Sequence, residues 1–299
     1  MGIGGKARLS QPTYLSARVP TLSPAVLASA MILTSGAAHA VVNAILKAGR
    51  DKMSSRALID GFSALMVLPA AFFLPLPSHA WIWLAASWAT HVVYLVALIK
   101  AFEGADMMVA YPLFRGIAPS IAAAVSVGVF HEPITWPVGI GVGLVSLGVL
   151  TTALGRHLDR KSLAWSLLTG ASIALYTVVD AQGVRAAPSA PSYIVWFFLG
   201  LGGGIGALFA LWRGPTFVAQ AREQWRPGLA AGALSILTYG LALWAFRLGA
   251  TPRLAALRET SILFGVIIAV VFLKEKATAA RLAGVAAIGA GAVVLISAG

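Results

Sequence analysis

Tyr111-Pro112-Leu113-Phe114-Arg115-Gly116 opens an apolar run that closes at Glu132. Arg258-Glu259-Thr260-Ser261-Ile262-Leu263-Phe264 opens another that closes at Glu275. In both runs the Arg and the closing Glu are 17 residues apart. A shift of 143 residues superposes the two pairs and also carries Thr135 onto Thr278, Gly141 onto Gly284 and Gly148 onto Gly291. A second shift, of 137 residues, lays Ala40-Val41-Val42-Asn43-Ala44 over Thr177-Val178-Val179-Asp180-Ala181. A charge at the bilayer centre costs on the order of 3 kcal/mol, so charges are rare there and a repeated Arg-to-Glu spacing is informative. The chain reads as two copies of one unit.

The sequence around these runs is that of a membrane protein. Of 299 residues, 59% are hydrophobic and 11% charged, and mean hydropathy is +0.86. An ordinary soluble domain carries roughly 25% charged residues. Too little polar sequence remains to cover a soluble globule, and the apolar excess excludes disorder. The net charge of +12 sits mostly between apolar runs, where anionic lipid and the positive-inside rule account for it. No nucleic-acid partner is expected. The chain has no Cys, which removes disulfides, thiolate catalysis and Cys-ligated metals. Gly200-Leu201-Gly202-Gly203-Gly204-Ile205-Gly206 follows no strand and precedes no Lys-Ser/Thr, so it reads as a helix-packing stripe instead of a phosphate loop. No zinc motif or nucleophile elbow is visible. The expectation is a non-enzyme without cofactor or metal.

Ten apolar runs are long enough to span. In the first copy they cover 23–46, 56–76, 79–99, 107–130 and 134–154. In the second they cover 163–182, 192–212, 227–247, 253–273 and 279–297. This gives a polar tail over 1–22, a first five-helix repeat over 23–155, a linker over 156–162 and a second repeat over 163–299. Five is odd, so the second copy enters the membrane from the opposite side. The expected fold is all-α, with ten transmembrane helices as two inverted repeats around a central cavity, a common plan among secondary transporters.

The candidate binding residues are those an apolar span does not explain. Arg115 is bracketed by Pro112 and Pro119, which are expected to weaken or kink their helix. Two guanidiniums, Arg115 and Arg258, facing each other across a cavity would favour a carboxylate, phosphate or phosphonate. Each could instead be tied to an internal acid, with Glu259, Asp180 and Asp60 available. Arg258 has Glu259 beside it, whereas Arg115 has no acid nearby in sequence. Asp180 corresponds to Asn43 in the repeat, or else touches headgroups near a span end. His39 and His91 either carry a coupled proton or are packing residues. Tyr94, Tyr111, Tyr176 and Tyr239, with Trp88 and Trp244, lie far from the interfaces and could line the cavity. The other Trp residues fit an interfacial belt, and Glu132 and Glu275 read as interfacial anchors.

The Tyr111–Gly116 and Arg258–Phe264 motifs resemble the drug/metabolite transporter superfamily in its EamA-like branch. The Glu132 and Glu275 span endings, the Gly-spaced fifth and tenth spans and Leu175-Tyr176-Thr177-Val178-Val179-Asp180 carry the same resemblance. It implies a ten-helix basket in the bacterial inner membrane, with a cavity lined mainly by helices 1, 3, 4, 6, 8 and 9. It also implies termini inside, whereas most Lys and Arg fall after odd-numbered spans, which places the termini outside. The implied function is alternating-access transport of a small polar metabolite bearing a carboxylate, phosphate or phosphonate. The partners would be that small molecule and membrane lipid, for a monomer or homodimer. The rival is an organic-cation exporter using Glu259 or Asp180 as a cavity acid.

Overall fold

The computed structural model describes residues 23–48, 52–104, 107–152, 159–267 and 278–298. Glu275 and the tail over 1–22 lie outside these residues, and Asn43 is described in its backbone alone. Among the described residues every regular element is helical. The first half holds α1 (Pro24–Ala48), α2 (Lys52–Val67), α3 (Trp81–Gly104), α4 (Met107–Gly128) and α5 (Trp136–Thr151). In the second half, α6 (Arg160–Ala186) is followed by α7 (Ala190–Phe197), which runs through a π turn into α8 (Gly203–Arg213). Then come α9 (Pro215–Leu248), α10 (Thr251–Arg258), α11 (Ser261–Ile267) and α12 (Ala279–Ser297). Among the described residues, eight helical stretches are long and apolar enough to cross a membrane, and α5 is a shorter apolar helix. The described part of the expected run 253–273, up to Ile267, is divided between α10 and α11.

The helix starts follow the sequence. Thr278 caps α12 by accepting from the Arg281 amide at 3.3 Å. Thr135 holds the matching place before α5 in extended backbone, with Pro137 in the first turn, where a missing N–H costs nothing. Asp159 caps α6, taking the amides of Lys161 at 2.9 Å and Ser162 at 3.0 Å.

The polarity is inside out for a soluble protein and right for a bilayer. Phe72, Phe73, Leu147 and Val293 point outward, while Ser35, Ser63, Ser166 and Asp180 are fully buried. Serines stitch the helices together. Ser35 donates to the Thr238 carbonyl at 2.6 Å, and Ser63 to the Gly232 carbonyl at 3.1 Å. Such bonds replace the hydrophobic drive that lipid does not supply.

The most extensive pairings are α3 with α6, α5 with α12, and α1 with α9. At α5–α12 the glycines approach reciprocally. A Cβ on Gly141 would meet Leu295 and the Gly291 carbonyl, and one on Gly291 would meet the Gly141 carbonyl. A Cβ on Gly148 would meet the Gly284 carbonyl, and one on Gly284 that of Gly148. The pairing runs 141 with 291 and 148 with 284, so the two helices are antiparallel. The glycine stripe after α7 serves packing too: Gly200 makes room for Trp88, and Gly206 lies against the Gly61 backbone of α2.

Two local expectations change. The helix α4 continues unbroken through Pro112 and Pro119. The interruption falls in its counterpart, between α10 and α11, where no proline stands. Further, α9 is 34 residues long and departs from helical geometry at Gln224 (φ −113°, ψ 15°), just before Pro227. The segment preceding that kink lies between two of the apolar runs and is helical too.

Candidate functional site

Arg115, Ala118, Pro119 and Ala122 fall at helical spacing on one face of α4. That face meets Ile173 and Thr177 of α6, and Ala255, Arg258 and Glu259 at the end of α10. These nine residues line a cleft holding about 10 Å³ of free space, room for roughly one water. Arg115 is 6% exposed and Arg258 is 8% exposed, so both guanidiniums are charges withheld from solvent.

Their partners differ from what sequence order suggests. The Arg115 Nε is 2.9 Å from the Glu259 Oε2, and its Nη2 donates to the Ser261 hydroxyl at 3.1 Å. The Glu259 carboxylate is thus held by a residue of α4, not by its neighbour in sequence. Arg258, beside Glu259 in sequence, has no carboxylate within ion-pair distance among the described residues. Its guanidinium lies over the Tyr239 ring, 4.8 Å from the centroid, a cation–π contact. Asp60 pairs with Arg56 at 2.7 Å.

Asp180 does not touch headgroups, being 0% exposed. It accepts hydrogen bonds from the hydroxyls of Tyr193 at 2.8 Å and Tyr239 at 2.5 Å. Tyr239 thus joins Arg258, on its face, to Asp180, at its hydroxyl. Its ring also stacks on Phe197 at 4.7 Å. His91 stacks on Tyr176 at 4.1 Å and stands edge-on to Tyr94, Phe197 and Tyr239. The His91 Nδ1 is 2.8 Å from the Ser87 carbonyl. Tyr111 packs on Phe114 at 5.3 Å, in a smaller apolar cluster that also holds Tyr94 and Tyr176. His39, half-buried on α1, lies within electrostatic reach of Arg115, Arg258 and Arg56.

Trp244 stands apart. It is 42% exposed on the outer face of α9. Five residues from Tyr239, it is turned by about 140° around the helix, which puts it on the opposite side. Trp88 packs against the π turn at Gly200. Glu132 is more than an interfacial anchor. It accepts from Arg185 at 2.7 Å, from the Thr251 amide at 2.8 Å and from the Thr251 hydroxyl at 2.8 Å. Arg185 in turn donates to the Phe246 and Gly249 carbonyls. The result is a clamp on the ends of α6, α9 and α10.

Sequence reasoning missed Thr177, Ser261 and Tyr193. Thr177 and Ile173 form an i,i+4 pair on α6, a signal that periodicity carries. Ser261 reaches Arg115 across the α10–α11 break, which nothing in the sequence announces.

Comparison with known proteins bears on the fold and the family. The model of the EamA-like transporter family matches residues 160–297. One solved structure, described only as a crystal structure of a protein, is similar at a TM-score of 0.66. The likeness covers 90% of this chain and 95% of that one, at 15% sequence identity, and at such identity it speaks to the fold alone. No curated protein matches the chain. Residues 160–297 are thus similar to EamA-like transporters of the drug/metabolite transporter superfamily, and the whole is an integral, multi-pass helical membrane protein.

Proposed function

We propose that this protein is a secondary transporter of a small polar metabolite bearing a carboxylate, phosphate or phosphonate group. The observation that carries this reading is Arg258. It is a nearly buried guanidinium with no carboxylate partner among the described residues, lining the same cleft as Arg115. A buried, unpaired cation is costly, and an anionic ligand would relieve that cost. The aromatic cluster around His91, Tyr176 and Tyr239 supplies an apolar wall for the rest of the molecule.

We further propose ten spans in two inverted five-helix repeats working by alternating access. The reciprocal glycine contact of α5 with α12 supports this. Contacts in which i meets j′ and j meets i′ are those a two-fold axis generates. The pairing of α3 with α6 beside that of α1 with α9 fits the same axis. Inverted copies can exchange conformations, which gives outward-open and inward-open states from one fold. The bacterial inner membrane is the proposed location.

A second reading, an organic-cation exporter, is favoured by Asp180 with its aromatic surroundings. Both Asp180 oxygens already accept tyrosine hydroxyls, which places it second. The test is ligand-induced thermal stabilisation of the purified full chain by acetate, inorganic phosphate, methylphosphonate and tetramethylammonium. A ligand at about 100 times its Kd stabilises by about 2.7 kcal/mol. Stabilisation by an anion, lost in Arg258→Ala, is expected. Stabilisation by tetramethylammonium alone, unchanged in Arg258→Ala, would put the cation reading in its place.

A further inference from the structure

We infer that Glu259 is a built-in competitor for the substrate's anionic group. In the closed arrangement its carboxylate holds the Arg115 seat, and a bound anion must displace it. The inference rests on the anion reading above and names the residue that sets affinity within it.

Three observations lead here. First, the Glu259 carboxylate reaches Arg115 from a neighbouring element and leaves Arg258 with none in ion-pair range among the described residues. A carboxylate already occupies one of the two guanidiniums that a substrate anion would be drawn to. Second, the Arg115 guanidinium is shared. Its Nε meets the Glu259 Oε2 at 2.9 Å while its Nη2 is given to the Ser261 hydroxyl at 3.1 Å. A guanidinium can hold one carboxylate through two parallel bonds, and here Nη2 goes to a hydroxyl, so an incoming anion that took both nitrogens has something to gain. Third, Glu259 sits where the chain can move. The amides of Glu259 and Thr260 bond three residues back, to Ala256 and Leu257, and those of Ile262 and Leu263 do likewise. This tight stretch separates α10 from α11, and 3-10 geometry inside a helical run often marks a hinge. With about 10 Å³ between the lining residues, no metabolite enters unless side chains part. Moving α11 against α10 would carry Glu259 away from Arg115.

The sequence of events follows from the charges. An anion first meets Arg258, the guanidinium with no carboxylate in ion-pair range among the described residues. It then replaces Glu259 on Arg115 and takes Nη2 from the Ser261 hydroxyl. On release, the tethered carboxylate returns and closes the cleft. A tethered competitor acts at high effective concentration, so the protein binds its substrate more weakly than two arginines alone would allow, and lets it go.

The test compares wild type, Glu259→Gln and Arg258→Ala as full chains in lipid nanodiscs. The readout is the half-saturating concentration for thermal stabilisation by acetate, inorganic phosphate and methylphosphonate. Glu259→Gln is expected to lower that concentration at least tenfold for the anion that stabilises wild type, and Arg258→Ala to raise it. A gain of affinity is not what damage to the fold produces. If Glu259→Gln does not yield folded protein, Glu259→Asp carries the test, since its carboxylate is one methylene short of Arg115 and a smaller gain is expected. If an anion stabilises wild type but binds the Glu259 variants no more tightly, the competitor role is overturned and the anion reading stands. If no anion stabilises any variant, both fall.

Discussion

The two arginine-bearing stretches are alike in sequence and unlike in structure. Arg115 lies in α4, a continuous helix that keeps its course through two prolines. Arg258 ends α10, and the chain breaks immediately after it. Arg115 has a carboxylate and a hydroxyl, whereas Arg258 has an aromatic face. Equal spacing along the chain therefore does not give equal electrostatics. One member of the pair is neutralised from within, and the other is left to attract something else. On the proposed anion reading, occlusion and readiness to bind are divided between the two halves of the site.

The largest expected effect tests that division. Arg115→Ala strands the Glu259 carboxylate in a buried place, which costs about 3–5 kcal/mol. Arg258→Ala removes a cation–π contact, worth about 0.5–2 kcal/mol. Denaturation midpoints of the two variants in one detergent should differ accordingly. The double variant Arg115→Ala/Glu259→Ala should recover much of the loss, because it leaves no stranded charge. Equal losses in the two single variants would mean that Arg258 has a strong partner as well.

Where the halves meet, the contrast should vanish. Gly148→Ala and Gly284→Ala each push a Cβ into the other helix's carbonyl. Overpacking of this kind costs about 1–3 kcal/mol. Similar midpoint shifts for the two would support a shared axis at α5–α12. A loss confined to one of them would show that the reciprocal contact is not energetically reciprocal.

These contrasts also show how far the sequence could be read. Span positions follow from apolar run length, and Gly141, Gly148, Gly284 and Gly291 declare a packing face by their spacing. Arg115 and Arg258 stand out because charges are scarce in apolar runs. Pairing is another matter. Glu259 adjoins Arg258, but consecutive helical residues point about 100° apart, so adjacency in sequence works against contact. Its actual partner, Arg115, is 144 positions away and reached only through packing of α10 on α4. The break after Arg258 has no proline or glycine to signal it. The exclusion of Trp244 was readable from its angular offset to Tyr239 but not from aromatic content. Asp180 could be ranked as unusual, yet its tyrosine partners come from α7 and α9, which only the fold brings together.

A comparable effect separates the two roles of Tyr239. Tyr239→Phe keeps the ring beneath Arg258 and removes one hydrogen bond to the Asp180 carboxylate, a loss of about 1.5–3 kcal/mol. Tyr239→Leu removes the ring as well and should lose more, whereas Trp244→Leu, on the lipid side, should change little. If Trp244→Leu matched Tyr239→Leu in denaturation midpoint, the two faces of α9 would not differ as described.

The smallest effect lies at the starts of α1 and α6, which the proposed repeat places in correspondence. Asp159 caps α6, and hydrogen bonds from the Ser162 hydroxyl and amide, then the Lys161 amide, hold its carboxyl below the usual carboxylate range. A carboxyl whose folded pKa is depressed contributes stability that is present above its unfolded pKa and lost as pH falls through the folded one. Ser23 accepts from the Val26 amide before α1 at 3.3 Å, and a hydroxyl has no charge to lose on acidification. Lowering pH from neutral through the carboxylate range should therefore loosen the start of α6 and leave that of α1 as it was. Amide exchange of Lys161 and Ser162, taken as a ratio to Val26 so that the intrinsic pH dependence cancels, should rise as Asp159 is protonated. A ratio flat across that range would mean that the Asp159 cap adds nothing that the Ser23 cap does not.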